Sequence, residues 1–325
     1  MTDRKRIAVA LGDPNGIGPE IAVKAAARFA GGPLQPVLVG DAYIIQEYAR
    51  RHAPDLPLVP LAQAEPDGQT LVYVDVPALE KSNFKPGQIL PEAGRATVAY
   101  VKRAVELAQS GQAAAVVGCP HSETAINQAG IAFSGYPGLI AQLTGTPQEK
   151  VFLMLVAAGL RIAHVTLHES VRTALQRITP NLIVDAALAA VAAEQKLGNP
   201  NPTLGVFGIN PHAGENGLFG DDDHRITEPA VRQLRATGLR VDGPTGADLL
   251  LGQRRHDLYI AMFHDQGHIP VKLLSPLRSS ALTIGTPILF SSVGHGSAFD
   301  IAGQGIADPV SVIETLSLLN QARPS

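Results

Sequence analysis

Short apolar runs alternate with longer segments of helical periodicity along most of the chain, and this rhythm predicts an α/β protein. Residues 7–11 form an apolar run closed by Gly12, and Val37-Leu38-Val39, residues 71–74 and residues 113–117 repeat the pattern. Each reads as a buried strand ending in a loop. Between them, the stretch from Pro19 to Phe29, the segment holding Ile44, Ile45 and Tyr48, and residues 92–109 carry apolar positions at helical spacing. Pro19 suits a first helical turn, where its missing N–H is not needed. Strands and helices in alternation with short connections predict a mostly parallel sheet.

The rhythm continues through the second half. Residues 151–156 and 161–166 predict two strands paired through the Ala157-Ala158-Gly159 turn. Further strands are expected over 204–207, 258–262 and 282–284. Helices are expected over 169–175, 185–196, 227–238 and 310–320, with Thr227 as an N-cap. No internal repeat, low-complexity tail or heptad pattern interrupts this. A chain of 325 residues is long enough for two domains or one large α/β unit, and composition alone places no boundary.

Bulk properties narrow the function classes. A formal charge of -3 gives no polyanion-binding surface, so nucleic acid is not the expected partner. No apolar stretch reaches the roughly 20 residues that span a bilayer, and the run at 7–11 is too brief for a signal peptide. Cys119 is the single cysteine, so no internal disulfide forms, which fits a reducing compartment. A cytoplasmic protein is the expectation. The 32 glycines and 25 prolines predict many tight turns, as in an enzyme with elaborated loops.

Polar chemistry collects at strand ends. His121, His168, His212 and His264 each follow a strand-like run, and open α/β sheets bind ligands at the carboxyl ends of their strands. Imidazole is a good ligand for zinc and other divalent transition metals. Two pairs have i, i+4 spacing. His164 and His168 fall on a strand and its exit, where that spacing makes no common face. His264 and His268 enclose Gly267, which argues for a loop. Spacing therefore leaves a metal site and local hydrogen bonding both open, while His52, His224 and His256 read as local hydrogen-bonding groups in polar loops. Asp265 reads as an orienting carboxylate or a turn cap. Lys272 reads as an anion partner or a cation reaching past apolar neighbours to water. Asp248 reads as a helix cap rather than a catalytic group. The stretch Gly12 to Gly18 lacks the G-x-G-x-x-G spacing, and no G-K-[ST] closes it. Gly294, Gly296, Gly303 and Gly305 permit close approach of a cofactor, or serve turns. The residues by themselves describe an α/β enzyme with a histidine-rich cleft.

Four segments add a resemblance: Gly12-Asp-Pro-Asn-Gly-Ile-Gly-Pro-Glu20, Gly208-Ile-Asn-Pro-His-Ala-Gly-Glu215, Met262-Phe-His-Asp-Gln-Gly267 and Asp300-Ile-Ala-Gly-Gln-Gly-Ile-Ala-Asp308. In this order they resemble the signatures of the 4-hydroxythreonine-4-phosphate dehydrogenase family, which is related in fold to isocitrate and isopropylmalate dehydrogenases. The resemblance implies an α/β fold of two domains with an interdomain cleft. It places one lobe at about 1–135 plus 285–325 and the other, with most metal-site residues, at about 136–284. It implies a homodimer with shared active sites, and NAD or NADP bound without a standard glycine fingerprint, by residues it does not identify. It implies one divalent metal per site, zinc first, with magnesium, manganese, cobalt or iron as alternatives. The metal ligands would be His168, His212 and His264, one of the three coming from the neighbouring subunit. Lys272 matches a substrate-binding lysine and Asp248 an acidic active-site position, and these two are the candidate catalytic residues.

The chain departs from that family where phosphate is held. The usual G-H-T-[ED] is replaced by Gly135-Tyr136-Pro137-Gly138, and the phosphate-contacting Asn and Arg fall at Ala281 and Phe290. Losing a guanidinium removes a bidentate phosphate partner. Cys119-Pro-His-Ser-Glu-Thr-Ala125, Gly130-Ile-Ala-Phe-Ser-Gly-Tyr-Pro137, Val165-Thr-Leu-His-Glu-Ser-Val171, Gly267-His-Ile-Pro-Val-Lys272 and Ser292-Val-Gly-His-Gly-Ser297 resemble the terephthalate cis-dihydrodiol dehydrogenase subgroup. That resemblance implies metal-dependent, NAD(P)-linked oxidative decarboxylation of 1,2-dihydroxy-3,5-cyclohexadiene-1,4-dicarboxylate to protocatechuate and CO2, in aromatic-compound catabolism. Tyr136, Lys272 and Phe290 would bind the substrate. The alternatives are a 4-phosphohydroxy-L-threonine or related phosphosugar-acid dehydrogenase and, more remotely, a non-catalytic metal-binding or ligand-sensing protein.

Overall fold

The computed structural model describes residues 4–65 and 68–322. The chain divides into two compact units. One runs as far as Gly145 and resumes at Pro287; the other is Thr146–Thr286. Tyr136, expected to open the second lobe, belongs to the first unit. Its aromatic ring packs against Phe133 and Phe290 of that unit, and the helix Tyr136–Thr144 follows the ring.

The first unit holds strands β1 (Lys5–Ala10), β2 (Leu34–Gly40), β3 (Leu58–Pro60), β4 (Leu71–Asp75) and β5 (Ala115–Gly118). The second holds β6 (Phe152–Ala157), β7 (Leu160–His164), β8 (Thr203–Phe207), β9 (Arg240–Thr245), β10 (Leu258–Ala261) and β11 (Ser280–Ile284), and β12 (Phe290–Val293) returns to the first. In the first unit every pair is parallel, in the order β3-β4-β2-β1-β5-β12. Central β1 and β2 are buried along nearly their whole length, as a sheet covered on both faces requires. The second unit runs β11-β6-β7-β10-β8-β9. Its first two pairings are antiparallel and the rest parallel. The hairpin between β6 and β7 turns through Ala158 at φ 50° and Gly159 at φ 75°, the positive-φ turn that matches strand twist. The core of the second unit gathers Leu155, Ile162, Phe207, Tyr259 and Val271.

Helix starts follow local chemistry. The helix Pro180–Lys196 begins earlier than its apolar periodicity suggests. Thr179 Oγ1 accepts the Leu182 N–H at 3.2 Å, and Pro180 occupies the first turn, where a proline is tolerated. Pro19 likewise sits in the first turn of the helix Gly18–Arg28. Thr227 holds the N-cap position of the helix Glu228–Ala236, but its side chain does not cap it. Its backbone is helical within the π-turn Asp223–Thr227, and its hydroxyl donates to the Asp223 carboxylate at 2.7 Å.

The largest departure is at residues 264–274, where Gly267 suggested a loop. The segment is the helix His264–Leu274, with Pro270 inside it. Gly267 is there for space. A Cβ at this position would stand 2.2 Å from His164 Nε2, so only glycine lets the helix lie against β7. Strands β3, β9 and β12 carry too little apolar pattern to predict. Arg-Val-Asp-Gly-Pro-Thr in β9 buries Val241 as its one fully covered residue, consistent with an edge position.

Candidate active site

Three of the four strand-end histidines fall in the second unit, beyond β7, β8 and β10, and His121 falls beyond β5 in the first. Both i, i+4 pairs enter one cluster. Helical geometry stacks His264 on His268, with ring centroids 3.6 Å apart and planes 12° from parallel. His268 Nδ1 lies 3.1 Å from His164 Nε2, and the His168 ring is 5.5 Å from that of His264. His164 ends β7 fully buried, and Nδ1 lies 3.3 Å from the Leu153 carbonyl. Burial and then the neighbouring His268 push its pKa down to about 3. Burial and then His264 push His268 down to about 4. Both are therefore neutral imidazoles near pH 7, and they pack beneath the other two as hydrogen-bonding supports.

His168 and His264 share the wall of a pocket of about 320 Å³, with Thr166, Leu167, Glu169, Val171, Ala174, Phe263 and Asp265. This is a small-molecule size. Asp265 Oδ1 lies 2.8 Å from His264 Nδ1, which favours its reading as an orienting carboxylate over a cap. His212 does not line this pocket. It opens a loop in which His212, Ala213, Gly214, Glu215 and Asn216 all have φ between 43° and 83°. Four of these five carry a Cβ, and each such left-handed residue costs about 1–2 kcal/mol. The buried Asp223 carboxylate holds the loop's entry, accepting from Ile209 N at 2.7 Å and Asn210 N at 2.9 Å. Among the described residues, no three His, Cys, Asp or Glu side chains of the one chain enclose a metal position. Imidazoles backed by a carboxylate are suitable donors for a divalent ion, and two of them, His168 and His264, converge here.

Lys272 lies on the same helix as His264; its Nζ donates to Ser279 Oγ at 3.2 Å, and partial burial lowers its pKa. Asp248 is exposed in the first turn of the helix Ala247–Gln253, past the Gly246 cap position. It is not the cap its spacing suggested. Ala281 on β11 packs against the apolar core of the second unit.

In the first unit, Tyr136 is 3% exposed and Phe290 is 0% exposed, and the two rings pack inside the unit. Their rings lie 4.9 Å apart, Tyr136 donates to the Cys119 carbonyl at 2.9 Å, and His121 lies 4.3 Å from Tyr136. Gly118 makes the packing possible, since a Cβ there would stand 2.8 Å from Phe290 and 3.0 Å from Tyr136. Burial raises the Cys119 thiol pKa far above its ordinary value, which leaves it unreactive.

The segment Gly12 to Glu20 is no phosphate cradle. Its polar groups are used inside the fold. Asn15 accepts from Lys85 N at 2.7 Å, and Glu20 accepts from Ala307 N at 2.8 Å, Gly305 N at 3.1 Å and Lys24 at 2.7 Å. The Glu20 side chain and Asp13 are both fully buried, and carboxylates repel a phosphate. The burial of Asp13 carried no sequence signal, and for His164 and His268 the i, i+4 spacing to His168 and His264 did not reveal that the two rings meet.

Residues 33–319 match the family model described as pyridoxal phosphate biosynthetic protein PdxA, and the chain belongs to that family. A 1,2-dihydroxy-3,5-cyclohexadiene-1,4-dicarboxylate dehydrogenase from Comamonas sp. is 50% identical over 315 residues, covering 97% of each chain. A terephthalate 1,2-cis-dihydrodiol dehydrogenase of known structure from Burkholderia xenovorans is also 50% identical. It covers 98% of each chain at a TM-score of 0.77. A D-threonate 4-phosphate dehydrogenase from Cupriavidus necator is 39% identical over 95% of each chain. Among the described residues, no helix is long and apolar enough to cross a membrane.

Proposed function

We propose that this chain is a metal-assisted, NAD(P)-linked dehydrogenase that converts 1,2-dihydroxy-3,5-cyclohexadiene-1,4-dicarboxylate to protocatechuate and CO2. The observation that carries the reading is the filled phosphate position. Where the family resemblance puts phosphate-holding groups, Tyr136 and Phe290 form a sealed aromatic layer. A phosphate dianion set against that layer would lose its hydration without gaining donors. A flat, unsaturated ring loses far less. The 50% identity to the Comamonas dehydrogenase supports the same substrate.

His168, His212 and His264 are assigned as the metal ligands, and a divalent ion there would supply Lewis acidity toward the substrate hydroxyl and a neighbouring oxygen. A bound nicotinamide would supply the acceptor for a hydride from the carbinol carbon. That oxidation leaves a ketone β to a carboxylate. Loss of CO2 returns the C–C electron pair to the ring, and the ketone becomes a phenol of the aromatic product, so aromatisation drives the step. Lys272 pairs with a substrate carboxylate, and its burial-lowered pKa also suits it to passing a proton. Asp248 is assigned to proton handling or ordering of the site.

The same reading makes the enzyme a homodimer, which would supply the third imidazole from a second copy. Two features support it. Large hydrophobic side chains are exposed mainly on the second unit, including Ile269 at 52%, Leu273 at 79%, Leu274 at 47% and Leu277 at 65% on and just after the helix that carries His264. Exposed apolar surface of this kind marks an interface. The strained loop at His212 is the second, since stored strain gathers at functional contacts.

Competition between the diol dicarboxylate and 4-phosphohydroxy-L-threonine, with NADH and CO2 both measured, tests the proposal. The expected result is a higher kcat/KM for the diol and one CO2 per NADH. Preference for the phosphorylated amino acid, or NADH without protocatechuate, would overturn it.

A further inference from the structure

The segment that carries His212 is closed on itself by one buried carboxylate. Residues 211–222 leave just beyond β8 and come back to the same place, because Asp223, at their far end, reaches to their start. Asp223 Oδ1 accepts from Ile209 N and from Thr227 Oγ1, both at 2.7 Å, and Oδ2 accepts from Asn210 N at 2.9 Å. Asp223 and Thr227 have no exposed surface. Arg225 pairs with Asp221 and Asp222 instead, and among the described residues no cation meets the Asp223 carboxylate. Gly208 is fixed from another side. Gln266 Nε2 donates to its carbonyl at 2.9 Å, and a Cβ there would stand 2.8 Å from Ala213 Cα, so the loop folds back over the strand end.

A buried carboxylate without a cation is costly, and this one is held by three neutral donors. What those donors fix is the entry to five consecutive left-handed residues, His212 to Asn216, a conformation that a free chain does not keep. An ordinary turn needs no acid there, since Asn or Ser would close it. Here two adjacent backbone N–H groups point at one side chain and need an acceptor at each oxygen, which a carboxylate has and an amide lacks. Building on the assignment of His212 as a metal ligand, we propose that Asp223 is a positioning residue. It clasps the two ends of the 211–222 loop, so that His212 is presented for coordination before the ion arrives. Its oxygens are taken up by the loop, so it acts through His212 and not on the ion. A ligand held in advance gives up less chain freedom on binding, which is how residues behind a metal ligand set affinity.

The test uses the full chain and zinc, competed against a chromophoric chelator. Asp223→Asn keeps the shape and one acceptor but turns an amide NH2 toward one of the two backbone N–H groups. It should raise the Kd for zinc about 10- to 100-fold, and saturating zinc should bring kcat for the diol dicarboxylate back to within about threefold of wild type. Thr227→Val removes one of the three donors and should weaken zinc about 2- to 10-fold. His224→Ala, next in the chain and outside the clasp, should bind zinc as wild type does. Hydrogen exchange read by mass spectrometry supplies a metal-free arm. Without zinc, exchange in Asp223→Asn should rise over residues 209–222 and match wild type in the rest of the second unit. Unchanged zinc affinity in Asp223→Asn, or a loss of kcat that saturating zinc does not restore, would overturn the inference. So would exchange raised throughout the unit, which would make Asp223 a plain contributor to folding. If wild type binds zinc and fails to turn over the diol, the reaction proposal falls while the zinc and exchange arms still decide for or against Asp223. If wild type binds no zinc, the ligand assignment falls, and exchange alone decides whether Asp223 holds the loop.

Discussion

Replacing Asp13 by asparagine should change how the stability of this protein depends on pH. Asp13 has no exposed surface, its Oδ1 accepts the Asn15 N–H at 2.9 Å, and its Oδ2 has no partner among the described residues. Burial pushes its pKa up from 3.8 to about 6, partly opposed by the backbone N–H groups of Asn15 and Gly16. The folded state therefore holds this proton more tightly than the unfolded chain. The resulting stability is full below about pH 4 and is lost as pH rises through about 6. Raising a pKa by that amount corresponds to about 3 kcal/mol. Asparagine keeps the acceptor at Oδ1 and cannot ionise, so the variant resembles the protonated wild type. The two should be nearly equally stable at pH 4, and by pH 7.5 the variant should be ahead by about 2–3 kcal/mol. Other buried acids titrate in both proteins and cancel in the difference. The chain has no tryptophan, so urea unfolding is best followed by far-UV circular dichroism between pH 4 and 7.5 at fixed ionic strength. A stability difference that stays flat across that range, or moves against the variant as pH rises, would refute the reasoning.

Four further outcomes are expected. His168→Ala, His212→Ala and His264→Ala should each abolish turnover while circular dichroism stays native, because two ligands make a poor catalytic metal site. His224, with 78% of its side chain exposed, should tolerate alanine with less than about 0.5 kcal/mol change. Since His168 and His264 stand together within one unit, mixed dimers of His168→Ala with His212→Ala should regain activity where dimers of His168→Ala with His264→Ala do not. Equal recovery in both mixtures would contradict that division. Gly118→Ala should destabilise by about 1–3 kcal/mol through overpacking, since its Cβ would press on Phe290 and Tyr136; a thermal melt at the wild-type temperature would show that the aromatic layer yields.

Periodicity was enough to read the alternating strands and helices of both units, because a buried parallel strand is a continuous apolar run and an amphipathic helix repeats at its own spacing. It failed where tertiary packing overrides local preference. Gly267 and Pro270 each weaken a helix in isolation, yet the helix His264–Leu274 forms because a residue without Cβ is what β7 and His164 leave room for. That one packing contact converts the His264 and His268 spacing from an accident of a loop into a stacked pair. The positions of His121, His168, His212 and His264 at strand ends were legible from apolar runs alone. Their grouping was not, since chain order says nothing about which strands neighbour one another; β10 between β7 and β8 brings His168 beside His264. The substitutions at Tyr136 and Phe290 were visible as letters. Only the tertiary structure decided that these rings would bury themselves and leave the His121 side chain partly exposed, because burial depends on what the fold packs above each side chain.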